Sequence, residues 1–374
     1  MSAPPATLAN WRTAPASRWA FHHVRELIPT ADIPNDCQRV KALPSGSLDL
    51  SAVKIEPDSG EALTLETFLE ETGTDGFLIV HRGRVLFERY ANGMSAETPH
   101  ILMSVSKAFL GLVFGFLGLD PERPVTDFVP QVKDTAYRGA TLRHLLDMRA
   151  GVAFNEDYLA TTGPIVQYRK ATGWNPLAPG EAPSSLHDFY STLAASDGPH
   201  GGRLHYTSPN TDLMGWVIES ATGRRYAELV SELLWKPAGA EYPAYITVDR
   251  FGAPRAAGGV CTTLRDLARA GLFMIEHPTA WIEDLERNGD RAAWRQGDLA
   301  PYFGGLPIRY RAYWYALEGA APLLFGYGIH GQFLLVDRRN EAVIAKFSSQ
   351  AAPMDAARIG LMLRAASEIR KLVA

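Results

Sequence analysis

The sequence predicts an α/β fold, more narrowly α+β, in which a sheet-bearing domain is assembled from the two ends of the chain and a mostly helical domain is inserted between them. Two predicted hairpins and the region that separates them carry this reading. The first hairpin spans residues 76–90, where Phe77 to His81 leads through a turn at Arg82-Gly83 into Val85-Leu86-Phe87. The second has Gln332 to Val336 and Ala342 to Phe347 on either side of the polar turn Asp337 to Asn340. Between them, residues 141–235 read mostly as helices and loops. The expected limits are 1–125 and 245–374 for the sheet-bearing domain and 126–244 for the helical one.

Taken in order, residues 1–61 are rich in Pro, Ser and Asp and read as an ordered but irregular lead-in. Leu63 to Glu71 has helical apolar spacing. The longest apolar stretch, Ala108 to Leu119, is broken by Gly111, Gly115 and Gly118. It is shorter than the roughly 20 residues of a membrane span, so it reads as a buried helix whose glycines let a neighbouring backbone come close. Thr141 to Met148 reads as a short helix. Ser208 to Thr222 reads as a longer one, with Ser208 as N-cap, Pro209 at the first position and Gly223 past its end. Pro353 opens a terminal helix to about Leu372.

Composition excludes several classes. The chain has 374 residues, 46% of them hydrophobic and 21% charged, enough to bury a large core. A formal net charge of -4, with no dense Lys/Arg run, gives no footprint for nucleic acid. Cys37 and Cys261 lie far apart with no Cys/His cluster, so they read as reduced, mostly buried thiols rather than a metal site or a disulfide. Met1 to Trp11 lacks a basic region followed by an apolar stretch, which makes a cytoplasmic location the expectation and a membrane partner an unexpected one.

Ser104-Val105-Ser106-Lys107 opens the apolar helix. Ser104 then lies in the first turn with Lys107 over the same face, and the unpaired N–H groups of the helix start favour negative charge on an attacking oxygen. The lysine accepts a proton only when neutral, so the chemistry requires an enclosed site that lowers its pKa. Ser51-Ala52-Val53-Lys54 has the same spacing, but it lies in a polar loop and reads as a decoy. Tyr206-Thr207-Ser208 follows about a hundred residues after Ser104; a loop tyrosine there can point its phenol at the Ser–Lys pair and relay a proton. Tyr90-Ala91-Asn92 has similar spacing but precedes the serine and ends a strand. Gly326-Tyr327-Gly328-Ile329-His330-Gly331 leads into a strand, and its glycines allow a main-chain N–H to approach a developing oxyanion. No Gly-x-Ser-x-Gly elbow and no His-Glu-x-x-His helix is present.

Ser-x-x-Lys, Tyr-x-Ser and a glycine-rich third strand, in this order, resemble the class C β-lactamase and family VIII esterase superfamily. Asn10 to Arg25, Thr141 to Tyr158 and Tyr206 to Gly223 resemble the 6-aminohexanoate-dimer hydrolases, nylon-oligomer amidases. The resemblance implies the β-lactamase, or penicillin-recognising, fold: a central antiparallel sheet flanked by helices plus the inserted helical domain. It implies a serine hydrolase acting on a small-molecule amide or ester, with no metal or organic cofactor. Ser104 is then the nucleophile, Lys107 and Tyr206 handle the proton, and the N–H groups of Ser104 and Ile329 form the oxyanion hole. A second register of the third motif moves that N–H to Gln332. Tyr158 is the substrate-contacting tyrosine, with Tyr168 as its rival, and Gly328 and His330 are the other expected substrate contacts. Two alternatives remain: a carboxylesterase for short acyl esters, and a binding protein of this fold without chemistry.

Overall fold

The computed structural model describes residues 5–373; residues 1–4 and Ala374, within the limits expected for the sheet-bearing domain and, for 1–4, within the stretch Met1 to Trp11 read above, lie outside the described residues. A seven-stranded antiparallel sheet joins the two ends of the chain. Its strands run in the order Arg84–Tyr90, Thr74–His81, Ala342–Ser348, Gln332–Asp337, Leu323–Gly328, Trp314–Leu317 and Ile308–Arg311. Both expected hairpins are present. They pair with each other through Ile79↔Ile344 and Val80↔Val343, so strands more than 260 residues apart in sequence are neighbours.

The register decides what each sheet face can pack against. Gly326 pairs with Leu334, and Val336 with Val343, so Gly326, Gly328, Leu334 and Val343 share one face. The central helix Val105–Leu117 packs there, with Val105 and Ala108 against Gly326. The amphipathic helix Leu264–Glu276 packs on the same face through Gly271, against Val343 and Leu334. The opposite face carries Phe325 and Tyr327 against Phe303, and the terminal helix Ala356–Val373 lies against the strand Ala342–Ser348 and the turn at Ala300–Phe303.

The middle of the chain holds helices Leu142–Leu146, Pro164–Ala171, Leu186–Phe189, Ser208–Thr222 and Tyr226–Val230. Several expectations are corrected in detail. The helix expected from Leu63 starts at Leu65, because Thr64 is its cap and accepts the Thr67 N–H. The terminal helix starts at Ala356, three residues after Pro353. Ser208 is not a cap: the helix N-cap is Thr207, and the Ser208 hydroxyl is turned to other partners. Gly118 is not a packing position but the left-handed C-cap of the central helix, at φ 66°.

A second sheet went unread in the sequence. Thr30–Ile33, Ala244–Thr247, Val260–Thr262 and His100–Ile101 form it in that order, and it ties the irregular lead-in to the chain around the central helix. Strands of two to four residues leave little periodicity to detect. Cys261 is buried in this sheet, whereas Cys37 is exposed, contrary to expectation. Among the described residues no helix is long and apolar enough to cross a membrane.

Gly111 shows why the apolar helix carries glycine. Its own carbonyl accepts the Trp281 indole N–H at 2.9 Å, and a Cβ there would overlap the carbonyl oxygen of Ala312. The overlapping atom is backbone and cannot swing aside. Gly111→Ala is therefore expected to destabilise the fold by about 1–3 kcal/mol through overpacking, read by urea unfolding; unchanged stability would show that the helix and the Ala312 turn are not in rigid contact.

Candidate active site

The strand His100–Ile101 passes through Leu102 and Met103 into the central helix, and this turn sets the position of Ser104. Met103 has φ 46°, the left-handed region that a bulky residue occupies only when packing holds it. That packing is supplied by a buried cluster that includes Trp11, Phe21 and Trp174. Ser104 follows at φ -69°, just before the helix, with its side chain free of any capping role.

Lys107 is 1% exposed, and its Nζ donates to three oxygens: Ser104 Oγ at 2.9 Å, Ser208 Oγ at 3.0 Å and the Ala257 carbonyl at 2.7 Å. An ammonium has three donors, so this niche satisfies every one of them. Burial nevertheless lowers the Lys107 pKa to about 7, with Arg255 pushing the same way and Glu156 and Asp212 opposing. Tyr206 is also buried, and Lys107 Nζ lies 4.9 Å from its ring centroid. Burial raises the phenol pKa, Glu156 adds to the rise, and the Ser104 side chain pulls it back. At neutral pH the pair therefore combines a lysine that readily loses its proton with a tyrosine that keeps its own.

Across from Ser104, the strand Leu323–Gly328 pairs with Trp314–Leu317 only as far as Phe325, which leaves one side of Gly326 to Gly328 open. A Cβ on Gly328 would stand 2.6 Å from the Leu102 carbonyl and 3.0 Å from the Ser104 nitrogen, so glycine is what allows the two backbones to meet. Among the described residues neither the Ser104 N–H nor the Ile329 N–H donates to a protein acceptor, and Ile329 lines the cavity that Ser104 lines. Gln332 is fully buried and uses its side chain to bind Ser348, donating to the carbonyl at 2.6 Å and accepting the N–H at 3.0 Å. The structure therefore brings Ile329, and not Gln332, to the Ser104 cavity.

The remaining expected residues fall out differently. Tyr158 lines the Ser104 cavity and donates to Glu156 at 3.3 Å. Tyr168 is fully buried elsewhere, donating to Asp212 at 2.5 Å and stacked under Arg255. His330 is buried, at φ 62°, with Nδ1 2.7 Å from the Gln350 carbonyl and its ring edge-on to Phe21. It lines an outer cavity rather than the one beside Ser104. Ser51 is exposed and Lys54 points to solvent, so the decoy motif has no enclosure.

Sequence reasoning missed four residues. Glu156 binds both the N–H and the hydroxyl of Ser208, which in turn contacts Lys107. Asp212 pairs with Arg255 and accepts the Ala257 N–H at 2.7 Å, fixing the peptide whose carbonyl touches Lys107. Arg12 lines the Ser104 cavity with Glu156 and Arg255. Only Glu156 had a signal, its place two residues before Tyr158. Among the described residues no group of three or more His, Cys, Asp or Glu side chains is arranged to hold a metal ion.

The inner cavity, about 30 Å³, shares Arg12, Tyr158, Arg169 and Ile329 with an outer cavity of about 410 Å³ that includes His330. A third cavity, of about 570 Å³, also borders Tyr158 and includes Tyr206, Asp298 and Tyr302. Tyr158 borders all three.

Comparison with known proteins gives a consistent result. The sequence profile of the beta-lactamase family matches residues 64–367. The chain is 36% identical over 361 residues to a 6-aminohexanoate-dimer hydrolase of Paenarthrobacter ureafaciens, covering 93% of this chain and 89% of that one. Among solved structures, a Bacillus anthracis protein provisionally assigned as a 6-aminohexanoate-dimer hydrolase superposes with TM-score 0.87 at 26% identity over 100% of both chains. A D-stereospecific amidohydrolase from a Streptomyces species shares the fold, with TM-score 0.58 at 20% identity over 77% of this chain and 93% of that one.

The Lys107 niche makes a pH prediction. A lysine with its pKa lowered to about 7 is mostly neutral above that pH and protonated below it. Labelling of Ser104 by a neutral phosphonate, whose own reactivity does not titrate, should fall about tenfold per pH unit below roughly 7 and level off above it. A profile flat from acid to alkaline pH, or one rising only near the ordinary lysine value, would show that Lys107 is not the base.

Proposed function

The chain belongs to the beta-lactamase family, and from that premise we propose that it is a serine hydrolase that cleaves a linear amide or ester through an acyl-enzyme on Ser104. The observation that carries this reading is the 2.9 Å contact between Lys107 Nζ and Ser104 Oγ inside a niche that lowers the lysine pKa to about 7. In the proposed reaction, Ser104 Oγ attacks the carbonyl carbon while its proton passes to neutral Lys107. The carbonyl oxygen becomes the oxyanion, held by the N–H groups of Ser104 and Ile329. Tyr206, still protonated, hands its proton to the leaving nitrogen as the C–N bond breaks, and regains one from Lys107. Water then attacks the acyl-enzyme, the same groups work in reverse, and the acid is released.

The raised pKa of Tyr206 supports this division of labour, because a phenol that holds its proton is an acid and not a base. The identity to a 6-aminohexanoate-dimer hydrolase supports a linear amide as substrate. The same centre would cleave short acyl esters with less help, since a good leaving alkoxide or phenolate needs little protonation.

The direct test is Ser104→Ala. It should fold as the parent does, lose turnover of both an amide and a p-nitrophenyl ester, and lose the acyl adduct seen by intact-mass spectrometry after a rapid quench; a folded variant with near-normal turnover would refute the nucleophile. Tyr206→Phe separates the relay from the nucleophile. With acylation rates measured before steady state, amide cleavage should fall about a hundredfold to ten-thousandfold, and cleavage of the activated ester markedly less. Equal losses for both would leave Lys107 as the sole acid–base group.

A further inference from the structure

Two large cavities near the site share Tyr158 as a wall and differ in the charge of their linings. Arg12 and Arg169 line both the inner cavity and the outer one, and no carboxylate lines the outer one. Among the described residues neither guanidinium has a carboxylate within 4.0 Å. Arg12 donates only to the Asn175 side-chain oxygen, at 2.7 Å, and its Nε is buried without a partner. Arg169 spends its donors on the carbonyls of Asp157, Tyr158 and Ala160, which carry no net charge. Burial, with Arg169 and Arg255 nearby, lowers the Arg12 pKa to about 9, still cationic at neutral pH. His330 cannot offset or add to this charge, because burial lowers its pKa to about 4 and leaves it neutral. Glu156 does border the inner cavity, but its oxygens are taken by Ser208 and Tyr158. The cavity next to Tyr206 also borders Tyr158 and is lined by Glu156, Asp157 and Asp298, together with His205, which pairs with Asp298 at 2.7 Å and whose pKa Asp298 raises against the effect of burial; three carboxylates therefore face one histidine there.

Tyr206 tells which half of the substrate lies where. It lines the acidic cavity and a small uncharged one that it shares with Ser104, and neither of the arginine ones. A group that protonates the leaving nitrogen must stand beside the leaving half, so the acyl half extends toward Arg12 and Arg169. Resting on the hydrolase reading for this orientation, we propose that Arg12, supported by Arg169, binds a carboxylate on the acyl half, so that the preferred substrates are half-amides or half-esters of short dicarboxylic acids. The acidic cavity suits an amine leaving group with a second, cationic end. This polarity is opposite to that of the linear 6-aminohexanoate dimer, whose acyl half ends in an ammonium and whose leaving half ends in a carboxylate. Its constitutional isomer with the amide reversed, N-(6-aminohexyl)adipamic acid, has the charges in the order this cleft favours.

Three p-nitrophenyl esters with one leaving group isolate the acyl end: the monoester of adipic acid, the hexanoate and the 6-aminohexanoate. The adipate should exceed the hexanoate in kcat/KM by about tenfold to hundredfold, the worth of a charge-assisted hydrogen bond, and the 6-aminohexanoate should fall below both. Added salt should narrow the spread. In Arg12→Gln the ratio of adipate to hexanoate should collapse toward one, and Arg12→Lys should keep part of it. Equal rates for the three esters, or a preference for the amino ester, in the unaltered protein would overturn the proposal whether or not the variants fold. Calorimetric titration of the Ser104→Ala protein with adipamic acid, hexanamide and 6-aminohexanamide reads the subsite without turnover. Adipamic acid should bind most tightly, and failure to do so overturns the subsite. Selective binding in a protein that turns over none of the esters would instead refute hydrolysis and leave the subsite standing.

Discussion

A lysine ammonium loses its hydration when it is buried, and Lys107 is buried almost completely. Three oxygens replace the lost water, and the geometry of the site follows from the need to hold those three in place. Ser104 Oγ is fixed by the strained turn at Met103. Ser208 Oγ is fixed by Glu156, which grips both its hydroxyl and its N–H. The Ala257 carbonyl is fixed from behind, because Asp212 holds the N–H of the same residue while paired with Arg255. Arg255 in turn lies over Tyr168 and Trp174. Tyr168 thus belongs to the frame of the lysine niche, and a buried ion pair broken at Asp212 or Arg255 would leave an uncompensated charge worth about 3–5 kcal/mol of destabilisation.

The same constraint explains why the sheet and the central helix come so close. A developing oxyanion needs N–H donors from two different elements, and a β-carbon at residue 328 would hold them apart. Glycine at 326 lets the helix lie against the strand, glycine at 328 lets the Ser104 backbone approach it, and the partner strand withdraws after Phe325 to leave that side open. Tyr206 reaches this point from the start of the helix Ser208–Thr222, so the reacting groups come from three elements that meet in one place. Such preorganised donors act in a site largely closed to water, where their electrostatic effect is strongest.

How much of this could be read in the sequence depended on distance along the chain. The hairpins at 76–90 and 332–347, and the pair Ser104 and Lys107, are local patterns, and periodicity or spacing revealed them. The misreading of Ser208 was also local: a serine before Pro209 has every mark of a cap, and only the contacts with Lys107 and Glu156 show that its hydroxyl is engaged elsewhere. Arg12, Asp212 and Arg255 gave no signal, because each acts through a partner more than 40 residues away in sequence. The four-stranded sheet failed to register for a related reason: its strands are too short to show a period, and Thr30 finds its partner only at Thr247.

The two kinds of residue also come from different parts of the chain, and this bears on how one fold serves different substrates. The groups proposed to handle the proton and the oxyanion sit on rigid elements of the core, where the demands of a buried lysine leave little freedom to vary. The charges proposed to face the acyl half sit on the irregular lead-in at Arg12 and on the helix Pro164–Ala171 at Arg169, joined to the Tyr158 loop through its carbonyls. On that reading, changing a charge there would alter which substrate end is tolerated, since neither Arg12 nor Arg169 bonds to Ser104, Lys107 or Tyr206. Likeness to a 6-aminohexanoate-dimer hydrolase over nearly the whole chain therefore speaks for the fold and its buried centre, whereas the polarity of a substrate has to be read from the few side chains that line the cavities around it.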